Sequence, residues 1–390
     1  MSSRQFISES HVLTNPFGIY LHIPFCVHKC SYCDFYSFVK YSTDDFQSLT
    51  RVIIQEIELS SKWLKSEKGF EKKVSSIFFG GGTPSLLPVR LLVEIFESLQ
   101  KNFTFSESCE ITTEANPETV HPEWVTGIRQ NTPINRISLG AQSFDLENLR
   151  KLERLCGPER VVEAATLLKQ NGFDNFNLDL IMGIPGQNLR DVENDMKKVI
   201  ELSPKHVSNY SLTLKPGHAL YNALPKEDLS ADIYESAVSF LEGEGYSQYE
   251  ISNFSREGFE CAHNLLYWTG GDFLGVGPSA SGRFFWDGVF QHKKNLSDLN
   301  LYLEKSLQSI STYEATTPQQ TLLEASFLEL RCNRGVDISK FKSRYGFDFR
   351  KAQQFEMMKK HSLIEESQGV LKLTSKGRLL ADSVTSRLVD

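Results

Sequence analysis

No run of apolar residues in this 390-residue sequence approaches the roughly 20 that a membrane-spanning helix needs. The first 25 residues include Arg4, Glu9, His11 and Asn15 and lack an apolar signal core, so secretion is not expected and a cytoplasmic protein is. No block of Lys and Arg stands out. With 42 Lys and Arg against 49 Asp and Glu the formal net charge is −7, which speaks against a nucleic-acid footprint and reads as solubility. Cysteine is scarce and odd in number. Of seven, Cys26, Cys30 and Cys33 are bunched, whereas Cys109, Cys156, Cys261 and Cys332 are scattered. A disulfide framework fits such a chain poorly; a metal or cluster site in a reducing compartment fits it well. Internal repeats and low-complexity tracts are also lacking.

What the sequence does have, from residue 17 to about 245, is an alternation of strand and helix. Apolar runs suited to buried parallel strands are Gly18–Ile23, Val74–Phe79, Cys109–Thr113, Arg136–Leu139, Phe176–Ile181 and His206–Leu212. Between them, Asp44–Leu64, Leu86–Leu99, Pro158–Lys169, Leu189–Leu202 and Ala231–Leu241 carry helical periodicity. Six such units predict an α/β fold: a parallel sheet with outer helices, closed partly or fully into a barrel. Chemistry in such barrels sits at the C-terminal ends of the strands. Four segments are expected: an N-terminal piece (1–16), the barrel (17–245), a connecting region of loop and short strand (246–315), and a C-terminal domain (316–390). The last offers helices around Gln319–Leu330, Ile338–Tyr345 and Arg350–His361, a strand at Val370–Leu373 and a capped helix at Thr374–Asp382. It reads as mostly helical and winged-helix-like, and without a basic recognition helix it is expected to serve packing or a partner.

The first strand runs into Pro24-Phe25-Cys26-Val27-His28-Lys29-Cys30-Ser31-Tyr32-Cys33, a C-x3-C-x2-C loop. A [4Fe–4S] cube ordinarily takes four thiolates. Three close thiolates hold three corners and leave one iron open for a reactant. The fitting ligand is the amino and carboxylate end of S-adenosylmethionine, whose one-electron cleavage gives a 5′-deoxyadenosyl radical. The competing reading is zinc on the same cysteines with His22 or His28, although zinc sites usually come as two separated pairs.

Further motifs follow at successive strand ends. Gly80-Gly81-Gly82-Thr83-Pro84 allows close backbone approach and exposes N–H groups. Glu114-Ala115-Asn116-Pro117 offers a carboxylate for an ammonium or ribose hydroxyls, or a helix N-cap. Gln142 closes the fourth strand. Asp179 lies inside an apolar strand, where a carboxylate is costly unless paired, and this marks it as functional. Arg154 suits the carboxylate of the same ligand, or is a solvated helix charge.

Together these motifs resemble the radical S-adenosylmethionine family that includes oxygen-independent coproporphyrinogen III dehydrogenase and the HemW heme chaperones. The resemblance spans residues 17 to about 385 and implies a partial (β/α)6 TIM-type barrel. It implies that Cys26, Cys30 and Cys33 bind the cluster. It also implies that Tyr20, Tyr32, Gly81, Gly82, Thr83, Glu114, Gln142, Arg154 and Asp179 line the S-adenosylmethionine site. Three features resemble the HemW branch: the short stretch before Cys26, Asp34-Phe35 where the dehydrogenase branch carries a further cysteine, and Cys261-Ala262-His263-Asn264-Leu265-Leu266-Tyr267-Trp268. The last matches an H-N-x-x-Y-W signature linked to heme. His263 is a potential axial ligand, and Tyr267 and Trp268 offer flat faces to a macrocycle; the same residues equally suit a hydrogen-bonded core cluster. Cys156 departs from the branch, which often has histidine there. The expectation is a chaperone that binds heme as cargo and passes it to an acceptor protein, with oxidative decarboxylation of coproporphyrinogen III as the alternative. A peripheral membrane contact and either a monomer or a homodimer remain open.

Overall fold

A computed structural model describes residues 16–66, 72–286, 289–304 and 309–389. The expected N-terminal piece therefore lies almost wholly outside the described residues. The six expected strands are all present: β1 (Phe17–Ile23), β2 (Val74–Gly81), β3 (Phe105–Ala115), β4 (Arg136–Gln142), β5 (Phe176–Met182) and β6 (His206–Ser211). They pair in parallel in chain order. Each crosses over through helices on one side, among them Thr43–Ser66, Val89–Asn102, Pro122–Asn131, Pro158–Gln170 and Leu189–Leu202. The helix expected from Leu86 begins only at Val89. Pro88 has no N–H to donate, so Pro84–Leu86 forms a separate 3-10 turn.

Period-two alternation gives every strand two chemistries. The outward residues of β1 (Phe17, Ile19, Leu21 and Ile23) are fully buried under helices, and Ile77, Phe79, Ile137, Leu139, Phe176, Leu178 and Val207 continue that layer. The inward residues are largely polar: Tyr20 and His22, Ser76, Glu110 and Glu114, Arg136 and Ser138, Asn177 and Asp179, His206 and Ser208. The barrel lumen is therefore a polar column inside an apolar sleeve.

The connecting region has the expected short strands, and they are built into the main sheet. Residues 246–315 extend the sheet at both edges. Short antiparallel strands β7 (Ser247–Gln248) and β8 (Asn253–Ser255) cover β6. On the other edge β9 (Asp272–Val276) joins β1 in parallel, followed by antiparallel β10 (Ser281–Trp286), β11 (Val289–Asn295) and β12 (Ser311–Ala315). The order is β12-β11-β10-β9-β1-β2-β3-β4-β5-β6-β8-β7. Gly275 and Gly282 permit the close β9–β10 approach, since a Cβ on Gly275 would sit 2.0 Å from Ser281 O. Buried Glu56, on the helix Thr43–Ser66, pins this extension. It takes hydrogen bonds from Gly277 N (2.9 Å), Lys293 Nζ (2.5 Å), Asn295 Nδ2 (2.7 Å) and Tyr302 Oη (2.5 Å).

The C-terminal domain has its own core, built from Leu330, Ile338, Phe341, Phe349, Phe355, Met358, Leu371, Val384 and Leu388. A three-stranded sheet, β13 (Val336–Asp337), β14 (Ile364–Ser367) and β15 (Val370–Leu373), runs in the order β13-β15-β14 beside the helices. Gln368 and Gly369, at φ 53° and 81°, close the β14–β15 hairpin as a two-residue primed turn requires. Two expected helices are divided. Arg350–His361 becomes a 3-10 turn at Phe349–Lys351 and a helix at Phe355–Lys360, and Thr374–Asp382 becomes Ser375–Leu379 and Ala381–Val389. Thr374 caps the former through Gly377 N at 3.0 Å. Among the described residues no helix is long and apolar enough to cross a membrane.

Candidate functional site at the mouth of the barrel

The C-terminal strand ends and the loop after β1 enclose a cavity of about 380 Å3. All three bunched cysteines line it, and none is in a disulfide. The loop is held from both sides. Cys26 N donates to Phe38 O (2.9 Å) and Phe38 N to Pro24 O (2.6 Å). Thr83 Oγ1 lies 3.6 Å from Cys26 Sγ, and Arg154 Nη1 lies 3.8 Å from Cys30 Sγ. Burial pushes the Cys33 thiol up from its ordinary pKa.

Of the nine residues expected around S-adenosylmethionine, Tyr32, Gly81, Gly82, Glu114, Gln142, Arg154 and Asp179 line this cavity. Tyr20 and Thr83 stand behind its wall. Tyr20 Oη is 3.0 Å from His22 Nδ1, and Thr83 Oγ1 accepts from Asn116 Nδ2 at 3.0 Å. The glycines are there for space. Gly81 has φ 111°, and a Cβ on it would meet the His22 ring at 2.5 Å; one on Gly82 would meet Phe25 O at 2.6 Å. Gln142 is in the left-handed region at φ 66°, where the chain turns out of β4.

Charge in the cavity is arranged asymmetrically. Glu114 is half-buried and takes one hydrogen bond, from Gly81 N at 3.1 Å. Burial, and then the nearby Asp179, push its pKa up to about 8. Asp179 is raised by burial too, but its oxygens accept from Asn177 Nδ2 (2.8 Å) and Ser138 Oγ (3.1 Å). The Arg154 guanidinium is anchored by Asn116 Oδ1 (2.8 Å) and Gly140 O (3.1 Å). Asn116, Ser138 and Tyr210 also line the cavity, and the sequence reading misses them as site residues. Asn116 lies within the Glu114–Pro117 run that supplies Glu114, and strand alternation by itself turns Ser138 and Tyr210 inward.

Residues 20–199 match the Radical SAM superfamily model, and residues 316–380 match the HemN C-terminal domain model. Among curated proteins, the heme chaperone HemW of Lactococcus lactis is 32% identical over 389 residues, covering 97% of this chain and 98% of its own. That of Escherichia coli K12 is 36% identical over 307 residues, covering 77% and 79%. The chain belongs to the HemW family of radical S-adenosylmethionine proteins. Its fold is also that of Escherichia coli coproporphyrinogen III oxidase (HemN), with a TM-score of 0.81, 24% identity, and coverage of 97% of this chain and 92% of that one.

Family membership implies a [4Fe–4S] cluster and S-adenosylmethionine, and the donor set fits both. Three free thiols on one loop face a cavity lined also by Gly81, Gly82, Glu114, Arg154 and Asp179. Zinc fits less well. A fourth ligand for zinc would have to come from His22 or His28. His22 spends Nδ1 on Tyr20 and Nε2 on Tyr36 O (2.8 Å), and burial lowers its pKa to about 4.

The HemW-type H-N-x-x-Y-W segment lies at the opposite end of the barrel, and the structure corrects the expected loop. Ala262–Trp268 is a helix that plugs the N-terminal strand ends. Glu110 caps it, accepting from Ala262 N (3.0 Å) and His263 N (3.2 Å). His263 is 1% exposed. Its Nδ1 meets Ser76 Oγ at 2.9 Å, its Nε2 meets Tyr267 Oη at 2.8 Å, and its ring stacks on Phe78. Burial takes its pKa down to about 3. In this arrangement neither nitrogen is open to iron. Asn264 Nδ2 reaches Tyr249 Oη at 3.5 Å, and Arg331 lies over the Trp268 ring at 5.9 Å. The core-cluster reading of these residues describes their packing.

Proposed function

We propose that this chain binds heme and hands it to an acceptor protein, with a [4Fe–4S] cluster on Cys26, Cys30 and Cys33 and S-adenosylmethionine in the adjoining cavity. The observation that carries this reading is end-to-end similarity to HemW heme chaperones, 97% of this chain against 98% of the Lactococcus relative. When bound, the cluster and S-adenosylmethionine supply one-electron chemistry.

The chain's own residues prepare the site. Arg154, fixed by Asn116 and Gly140 O, presents a cation to the ligand's carboxylate. Glu114, held neutral while the cavity is bare, gives up its proton to pair with the ligand's ammonium or ribose hydroxyls. Asp179 is kept in place by Ser138 and Asn177. Gly81 and Gly82 let the cavity wall close against the His22 ring and the Phe25 backbone. Decarboxylation of coproporphyrinogen III draws support from the shared fold alone.

The deciding experiment runs two assays on one anaerobically reconstituted sample. Hemin titration is expected to give a saturable Soret shift near one heme per chain. Incubation with coproporphyrinogen III, S-adenosylmethionine and reductant is expected to give no protoporphyrinogen. Turnover without hemin binding would reverse the assignment.

A further inference from the structure

If heme is the cargo, His263 as packed in the barrel floor does not receive it, and another group must. The described histidines divide by what their ring nitrogens touch. His22, His206 and His263 each spend both nitrogens inside the barrel. His121 and His218 each spend Nδ1 on a backbone N–H of their own turn, His292 meets Glu324, and exposed His361, in the C-terminal domain, is not among the residues lining the cavity. His28 is the one histidine that, among the described residues, lines the cluster cavity. Its nearest charged neighbour is Glu153 Oε2, 3.9 Å from Nε2, which is too long for a hydrogen bond. The side chain is 39% exposed.

We propose that heme docks across the mouth of the cluster cavity with the His28 imidazole as an axial iron ligand. This rests on the heme-binding reading above and says where that heme sits. Three observations support it.

First, the rim is apolar where an aromatic disc needs it. Phe35, 65% exposed, lines the cavity, and Val27, beside His28 on the same loop, is 48% exposed. Both belong to the loop that carries the cysteines, so they offer apolar surface beside the cavity for an aromatic disc to cover. The cavity itself is the size of one small ligand and is lined by the residues expected for S-adenosylmethionine. A macrocycle is therefore placed over the opening rather than within it.

Second, His28 sits on and beside elements that the site already uses. Cys26 and Cys30 stand two residues to either side. Glu153 is in the left-handed region at φ 54°, with its carbonyl 3.9 Å from Cys30 Sγ and its carboxylate beside His28. Metal-bound imidazoles commonly give their second nitrogen to a carboxylate, and Glu153 stands where that partner belongs.

Third, the rim carries cations for two propionates. Lys29 lines the cavity and bonds Ser37 Oγ at 3.0 Å. Lys215 pairs with Asp34 at 2.9 Å, both side chains being over two-thirds exposed, so the lysine can exchange partners at little cost.

The test is hemin titration of the full-length, anaerobically reconstituted protein, read by Soret position and ferric EPR, with iron-free protoporphyrin IX as a parallel probe. His28→Ala is expected to lose the histidine-ligated spectrum and to bind hemin at least tenfold more weakly, while keeping about four cluster irons. Wild type is expected to bind protoporphyrin IX no better than His28→Ala binds hemin. Should His28→Ala lose its cluster, Phe35→Ser is the second variant, expected to weaken hemin and protoporphyrin IX by the same factor. An unchanged spectrum and affinity in His28→Ala overturns the proposal. So does loss of iron ligation in His263→Ala but not His28→Ala, an outcome that leaves heme binding itself standing. Absence of any hemin binding by wild type refutes the heme reading, not only its location.

Discussion

The two ends of the barrel use the same residue types and treat them in opposite ways. At the floor, Glu110 accepts from two backbone N–H groups of the plug helix, and His263 bonds Ser76 and Tyr267. His206 bridges Asn177 Oδ1 (2.7 Å) and Tyr249 Oη (2.8 Å). At the mouth, the Cys26 and Cys30 thiols have contacts of 3.6 Å or more, Glu114 has one donor, and His28 and Phe35 line the cavity while partly exposed. Buried polar groups that satisfy one another are architecture; groups left short of partners around a cavity are prepared for a ligand. The lesson is that a histidine beside aromatics in sequence says nothing about which kind of end it will occupy.

The sharpest way to break that comparison is to remove thiols from each end. Replacing Cys26, Cys30 and Cys33 together by serine is expected to take bound iron from about four per chain to none. Cys261→Ser at the floor is expected to leave it unchanged. Iron analysis and the visible spectrum after anaerobic reconstitution read the result; equal losses would mean that the loop is not the cluster site.

Histidines come next. His263→Ala leaves Ser76 Oγ and Tyr267 Oη without their partner and opens a cavity beneath Phe78, a cost of about 2–5 kcal/mol. His28→Ala is expected to cost no more than about 0.5 kcal/mol, because its side chain is partly solvated and makes no close hydrogen bond. Urea melts of the two proteins check this, and similar midpoints would show that the floor network is not tight.

How much of this is legible in the amino-acid sequence bears on why the ends differ. The six parallel strands are readable because their outward residues form unbroken apolar layers. The cavity residues are readable because glycines and carboxylates recur where the apolar strand runs end, and because a carboxylate such as Asp179 within an apolar strand is costly unless it is used. The fate of residues 246–315 is not. β9 is only five residues long, and it becomes a parallel strand solely because the β1 edge is there to accept it. The place of His263 is hidden for a related reason. Helix 262–268 has no side-chain cap of its own. Glu110, some 150 residues earlier, supplies it, and local sequence carries no trace of such a partner.

A pH titration sharpens the comparison at the mouth. Glu114 is protonated below about 8 while the cavity is bare. Pairing with the ligand needs the carboxylate, so binding expels the proton. S-adenosylmethionine affinity is therefore expected to climb with pH by up to about tenfold per unit and to level off above 8. Folding stability moves the other way. The folded pKa lies above the ordinary value of 4.5, so this carboxyl's contribution is fully present below 4.5 and is lost as pH rises through about 8. Glu114→Gln should flatten both trends. Equilibrium dialysis between pH 6 and 9 measures the first, and a slope that survives the substitution would assign the proton elsewhere.

The smallest effect expected is at the outermost ion pair, Lys215–Asp34. Both side chains are largely solvated, so Lys215→Ala should change folding stability by no more than about 0.5 kcal/mol. Its effect on cargo should be different in kind. A propionate brought to the rim meets one cation fewer, so hemin affinity is expected to fall two- to threefold at low salt. In about 1 M salt, where the screening length shrinks to about 3 Å, the difference from wild type should vanish. A salt-independent loss would mean that the lysine shapes the loop rather than attracting charge. No loss at any salt would move the propionates away from this side of the rim and toward Lys29, whose Nζ is tied to Ser37 and the Phe35 carbonyl on the cluster loop itself.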